Sequence, residues 1–419
     1  MTITKLRASD IFVAGGQPSV TYIPRGGLLL EEVLQEYLDT GYKLLSITGP
    51  TKSGKTVLCR RVIPTHAGIW IPGGQIQSES DFWDMINDKL HVHTQINSEE
   101  SCEVSDTQSN RLNGGFNIGV AKTDAMLAET QAEKQGSKLT RSFHRNLRSS
   151  AIQALLESRM PLVIDDFHYI SKDVQMLIVR ALKDSIFEGL RVIVLAVPHR
   201  AYDAVKVETE MTGRVQQLNI PLWDLKELIE IAKKGFPKLN AKFSEEVSNR
   251  LSQESYGSPH LMQEFCLKLS ILNNLRETSD SLIEVQEPAD YKEFFRKIVA
   301  TSASKTAFER LARGPRQRAD RVQRKFINGT EGDIYLAVLS AIAQTGPKLS
   351  IGYEELRESL RKVVEGNIPQ AHEVTRVLTK MTEIAKEDIE GEPVIEWVKE
   401  DSKVYLSDPF FAFYLRWHE

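Results

Sequence analysis

Cysteine is scarce. Cys59, Cys102 and Cys266 are the three in 419 residues, far apart and with no Cys-x-x-Cys pair. That excludes a disulfide framework and a zinc-ribbon site, and it fits a reducing compartment. Long apolar runs are missing: none approaches the roughly 18 residues of a membrane span. The opening MTITKLRASD lacks the apolar core of a signal peptide. The expectation is a cytoplasmic protein with no membrane partner. A dominant charge is missing as well. Fifty-three basic and 57 acidic residues leave a net charge of −4, so the chain as a whole is not a strongly basic nucleic-acid binder. His91 and His93 alternate without a neighbouring acid or cysteine to complete a metal site. No Ser-His-Asp or Cys-His nucleophile is evident.

What the chain does have is a hydrophobic fraction of 41% and a charged fraction of 26%, the balance of an ordinary globular protein with two or three domains. Short apolar runs alternate with helical patterns through the first 220 or so residues. The runs are Leu44–Thr48, Ile69–Ile71, Leu162–Ile164, Arg191–Val197 and Val215–Ile220. Ser78–Leu90, Ser142–Ser158 and Asp173–Phe187 read as helices. Continuous apolar strands suit a sheet buried on both faces, so the fold class is α/β with a parallel sheet flanked by helices. Residues 94–141 break the rhythm with a polar, acidic and then Gly-, Ala-, Lys- and Gln-rich stretch, read as an insertion.

After Pro221 the pattern turns helical over Trp223–Gly235, Ser244–Ser255 and Pro259–Asn273. Residues 274–330 read as a connector. Its part from Thr306 to Lys325 holds seven basic residues (Arg310, Arg313, Arg316, Arg318, Arg321, Arg324, Lys325) against two acids. The end carries helices at Asp333–Gln344, Tyr353–Val364 and Ala371–Ile384, then strand-like runs at Val394–Val398 and Val404–Ser407. Three helices followed by a hairpin is the order of a winged helix. The expected division is a core over 1–221, a helical lid over 222–300, a basic connector over 301–330 and a winged-helix domain over 331–419.

The strongest motif is Gly49-Pro50-Thr51-Lys52-Ser53-Gly54-Lys55-Thr56. It is the phosphate-binding loop, GxxxxGK[ST], placed between an apolar strand and a helix. Successive backbone N–H groups and the start of the helix attract anionic phosphate. Lys55 reaches the β- and γ-phosphates, and the Thr56 hydroxyl ligates Mg²⁺. A second signal is Leu162-Val163-Ile164-Asp165-Asp166, a buried strand with acids at its carboxyl end, where α/β sheets bind ligands. Asp165 is the Mg²⁺ ligand of this reading, and Asp166 orients or deprotonates the attacking water. ATP and Mg²⁺ are the expected cofactors, and the activity is that of an ATPase.

With these motifs in order, the chain resembles a P-loop ATPase of the AAA+ superclass, closest to its STAND and origin-recognition branches. The resemblance implies an ASCE-type sheet, a helical lid and a C-terminal winged helix. It implies adenine contacts by Ile23 or Arg25 of Tyr22-Ile23-Pro24-Arg25, and a γ-phosphate sensor at His199 or Arg200 after the fourth strand. Arg214, in Thr212-Gly213-Arg214-Val215, sits where AAA+ proteins carry the arginine finger. In that role it makes the active form a homo-oligomer; the alternative is a surface arginine at a strand start. Gly257-Ser258-Pro259-His260 matches the Gly-x-Pro lid motif. There Pro259 packs on the base, and His260 takes the place of a sensor arginine and adds pH sensitivity.

The acidic C-terminal part disfavours DNA: Ile351–Glu419 holds nine basic and fifteen acidic residues. The aromatic ending Tyr405-Leu406-Ser407-Asp408-Pro409-Phe410-Phe411-Ala412-Phe413-Tyr414-Leu415-Arg416-Trp417 resembles the C-terminal segment of prokaryotic ATPases of this group and reads as a buried tail or a partner contact. Two functions compete. One is an ATP-driven switch that oligomerises and regulates a partner or effector protein, a type the resemblance ties to prokaryotic antiviral defence or signalling. The other is a DNA-associated ATPase of the initiator or transposition-helper kind, using the basic connector.

Overall fold

The computed structural model describes residues 5–92, 147–197, 213–315, 321–387 and 393–418, with the backbone of 95–100 and 139–144. Five strands form a parallel sheet: β1 (Leu44–Thr48), β2 (Ile69–Pro72), β5 (Leu162–Asp165), β6 (Val192–Ala196) and β7 (Val215–Asn219). Their order is β2-β5-β6-β1-β7. One strand therefore separates the phosphate-loop strand β1 from the acid-bearing strand β5.

Alternation along the strands assigns the two faces. Leu44, Ile69, Ile71, Leu162, Ile164, Val192 and Val194 share a core with helices Glu79–Lys89, Leu147–Ser158 and Lys172–Phe187. Leu45, Ile47, Trp70, Val163, Ile193 and Leu195 face helices Leu30–Thr40 and Lys55–Val62. Both faces are covered, which is why these strands read as apolar runs rather than as alternating ones.

Inside the stretch read as an insertion, β3 (Gln95–Glu100) pairs antiparallel with β4 (Leu139–His144). The helix expected over Ser142–Ser158 thus begins at Leu147. Residues 101–138 lie outside the described residues.

The lid core joins helices Leu225–Gly235, Glu245–Glu254 and Pro259–Leu272 to the N-terminal Ala8–Ile11 turn. The stretch read as a connector carries two amphipathic helices. Tyr291–Val299 buries Phe294, Phe295, Ile298 and Val299 against the lid. Ser304–Arg313 buries Ala307 and Leu311 in the C-terminal core.

That C-terminal core holds helices Ile334–Gln344, Tyr353–Val363 and Ala371–Glu387 with a three-stranded antiparallel sheet. Its strands are β12 (Ser350–Gly352), β13 (Ile395–Val398) and β14 (Lys403–Leu406), in the order β12-β14-β13. The chain order is helix, strand, helix, helix, strand, strand. β12 was not expected.

The aromatic ending is a helix, Pro409–Trp417, and it is buried. Phe411, Ala412 and Leu415 enter the C-terminal core, whereas Phe413 and Tyr414 enter the lid core. Glu254 of the lid accepts the Trp417 indole N–H at 2.9 Å and pairs with Arg416 at 3.0 Å. The tail helix therefore joins the C-terminal unit to the lid.

Candidate phosphate-binding site

The site begins where β1 ends. A Cβ on Gly49 would meet the Ile220 carbonyl at 2.5 Å, so only glycine lets the chain turn here. Lys52 (φ 57°) and Gly54 (φ 96°) are left-handed, and the loop runs into the helix Lys55–Val62. Lys55 is buried, and its Nζ donates to the Gly49 and Pro50 carbonyls at 2.8 and 2.9 Å. The Thr56 hydroxyl donates to Asp165 Oδ1 at 3.0 Å. Burial first, and then the charge of Asp166, raise the Asp165 carboxyl above its usual range.

Thr51 to Thr56, Asp166, Pro259 and His260 line one cavity of about 750 Å³, together with Ile23 and Trp223. Sequence positions more than 200 residues apart thus converge at the carboxyl end of the sheet. The fit to phosphate and a hard cation rests on the groups present. Ser53 Oγ is buried with no partner among the described residues. A hydroxyl and a carboxylate at Thr56 and Asp165 are the oxygen donors Mg²⁺ prefers.

Two expectations gain detail. Arg25 lines the cavity, with most of its N–H donors taken within the chain. Its Nε and Nη2 donate to the two Glu227 carboxylate oxygens at 2.8 Å, and Nη1 and Nη2 donate to the Pro221 and Leu222 carbonyls. Four of its five N–H donors join the N-terminal segment to the start of the lid. Ile23 does line the cavity. His260 lines the cavity, and burial, then Lys52, lower its pKa to about 4, with Asp408 opposing. The imidazole is neutral at pH 7, so any titration falls well below the neutral range.

Arg214 lies apart from the cavity. Its carbonyl accepts the Leu44 N–H at the amino end of β1, one strand length from the phosphate loop. Its exposed guanidinium carbon is 5.5 Å from the Phe187 ring centroid. His199, Arg200 and Thr212 lie outside the described residues. In the basic run, Arg321 pairs with Asp333 at 2.7 Å and Arg324 with Glu373 at 3.5 Å. Arg316 and Arg318 lie outside the described residues.

Two residues at the cavity were not singled out as site residues. Asp408 Oδ1 pairs with Lys52 Nζ at 3.1 Å, and Lys52 Nζ lies 3.9 Å from the Phe410 ring centroid. Phe410 also packs edge-on against His260, with centroids 4.8 Å apart. The density of aromatics in the tail was the one signal for Phe410. For Asp408 there was none.

No protein-family model matches the chain, and no curated protein matches it in sequence. Solved structures do. The Walker-type ATPase of Pyrococcus abyssi matches 92% of this chain and 94% of its own, at 16% identity and a TM-score of 0.51. The ORC2 protein of Aeropyrum pernix matches 96% of each chain at 12% identity and a TM-score of 0.45. A signal transduction ATPase with numerous domains (STAND) of Pyrococcus horikoshii matches 96% of this chain and 43% of its own, at 11% identity and a TM-score of 0.37. On the Pyrococcus abyssi match, and on the sheet order and loop described above, the chain has the P-loop ATPase fold.

Proposed function

We propose that the chain is an ATP-driven switch whose C-terminal unit rests on the phosphate loop and yields to nucleotide. The observation that carries this reading is the contact of Lys52 with Asp408 and Phe410. A residue of the loop itself is held by a carboxylate from the tail, 356 positions away. An arriving phosphate competes for the same ammonium, and it favours a state in which the tail has moved off.

In this reading Lys55 turns from the Gly49 and Pro50 carbonyls to the β- and γ-phosphates. Thr56 and Asp165 hold Mg²⁺. Asp166 orients the attacking water and accepts its proton, and Pro259 packs on the base. Arg214, set apart from its own cavity, serves the site of a second copy. When bound, Mg²⁺-ATP supplies the phosphoanhydride whose cleavage resets the switch. The helices and three strands of the C-terminal core are a winged helix by their order. Its role is to hold the lid and the loop together until a partner or effector protein is engaged, in defence or signalling. The alternative, a DNA-associated ATPase, is weakened because Arg321 and Arg324 are neutralised internally.

The test is steady-state ATP turnover of the wild type and of Asp408→Ala, each titrated with duplex DNA at low salt. The switch predicts faster turnover or nucleotide exchange in Asp408→Ala, with a flat DNA response in both proteins. Equal rates would remove the carrying observation. Turnover rising steeply with DNA would favour the alternative.

A further inference from the structure

Trp223 touches both the phosphate loop and the lid, and the reading above gives it no role. The Trp223 indole N–H donates to the Ser53 carbonyl of the phosphate loop at 2.9 Å. The Trp223 backbone N–H donates to the Gly257 carbonyl in the turn that opens the lid helix Pro259–Leu272, at 3.2 Å. The Arg25 guanidinium carbon lies 5.0 Å from its ring centroid. The neighbouring Tyr256 hydroxyl donates to the Gly346 carbonyl of the C-terminal unit at 3.0 Å.

The hydrogen bond to Ser53 bears on phosphate binding through covalent geometry. A trans peptide is planar, with its carbonyl and its N–H on opposite sides. Holding the Ser53 carbonyl toward the indole turns the Gly54 N–H to the other side, where a nest of loop N–H groups grips an anion. This peptide needs an outside restraint. Gly54 sits at φ 96°, a conformation that glycine adopts without strain. Glycine accepts either sign of φ, and the peptide can rotate at little cost. The indole N–H is the only donor of the Trp223 side chain.

We propose that Trp223 is a positioning residue that locks the Ser53–Gly54 peptide with its N–H toward the β-phosphate site. Through Gly257 it makes that lock depend on the lid. The inference rests on the reading of Gly49–Thr56 as the phosphate loop.

The experiment compares ATP, ADP and AMP affinities by titration calorimetry in the wild type, Trp223→Phe and Lys55→Ala. AMP lacks the β-phosphate that the nest grips. The expected result is that Trp223→Phe weakens ATP and ADP by about three- to tenfold, the range of one hydrogen bond, and leaves AMP unchanged. A ring that merely lines the cavity would weaken all three alike, and that result overturns the proposal. So does unchanged affinity for all three while Lys55→Ala loses ATP. If Lys55→Ala also binds ATP like the wild type, the phosphate-loop reading falls and this inference falls with it. Should Trp223→Phe fold poorly, benzothienylalanine at position 223 removes the N–H and keeps the bicyclic ring. The same discrimination between ADP and AMP is then required of it.

Discussion

Two ion pairs flank the cavity, and they are built differently. Arg25–Glu227 is 2.8 Å long, with side chains 4% and 21% exposed. Its planar fork meets both carboxylate oxygens and two backbone carbonyls at once. Lys52–Asp408 is 3.1 Å long, with side chains 33% and 16% exposed. There a single ammonium is shared between one carboxylate and the Phe410 ring. Both pairs join distant parts of the chain. The first fixes the N-terminal segment to the lid with geometry no ligand reproduces. The second holds the tail to the phosphate loop with a point charge that any anion can claim. One is a permanent joint, and the other is a contact that can be exchanged.

The comparison breaks most sharply at Arg25. Arg25→Ala leaves the Glu227 carboxylate only its bond from the Asp224 N–H and takes the Arg25 donors from two carbonyls. Removing one partner of a buried pair costs about 3–5 kcal/mol, read by urea unfolding. Arg25→Lys recovers only part of this, because an ammonium cannot span four acceptors. A loss under about 1 kcal/mol, typical of a surface pair, would put Arg25 in the same class as Lys52.

A smaller effect separates the two sides by pH. His260 faces Lys52, Asp408 and Phe410 on the exchangeable side. Its pKa falls from 6.5 to about 4 on folding, chiefly through burial. Below pH 6.5 the unfolded chain binds a proton there and the folded chain does not, so stability falls as pH drops from 6.5 toward about 4. His260→Gln removes that contribution and flattens the profile over this window. Thermal midpoints measured across it check the prediction. Parallel profiles for the two proteins would mean that His260 is not buried beside the tail.

What the sequence made legible was contiguous. Gly49–Thr56 and Leu162–Asp166 each lie on one strand and the turn after it, so residue type and order are enough to read them. Pro259 and His260 were legible through the Gly-x-Pro motif, whereas Trp223, Asp408 and Phe410 approach the cavity only through tertiary packing. The ion pair of Arg25 was hidden for the same reason: its partner Glu227 is 202 residues away. Among the elements, Ser304–Arg313 was hidden because it buries little more than Ala307 and Leu311 in a strongly charged stretch. β12 was hidden because three residues carry no period. The first three residues of the helix expected from Ser142 are the end of β4, a choice that pairing with β3 decides and local propensity does not.

The smallest expected effect is the most telling. A double-mutant cycle of Lys52→Met and Asp408→Asn isolates the stability coupling of the exchangeable pair. For a part-exposed pair the expected coupling is about 0.2–1 kcal/mol, and it shrinks with added salt because the charges are screened. Coupling near zero at high salt, with Asp408→Ala still altering turnover, would leave Phe410 as the element that holds the tail. Coupling as large as that of Arg25 would contradict exchange, since a phosphate would then have to overcome a joint rather than a bias. A switch needs the weaker value. About 1 kcal/mol shifts a two-state equilibrium only about fivefold, which differential binding of a ligand readily reverses.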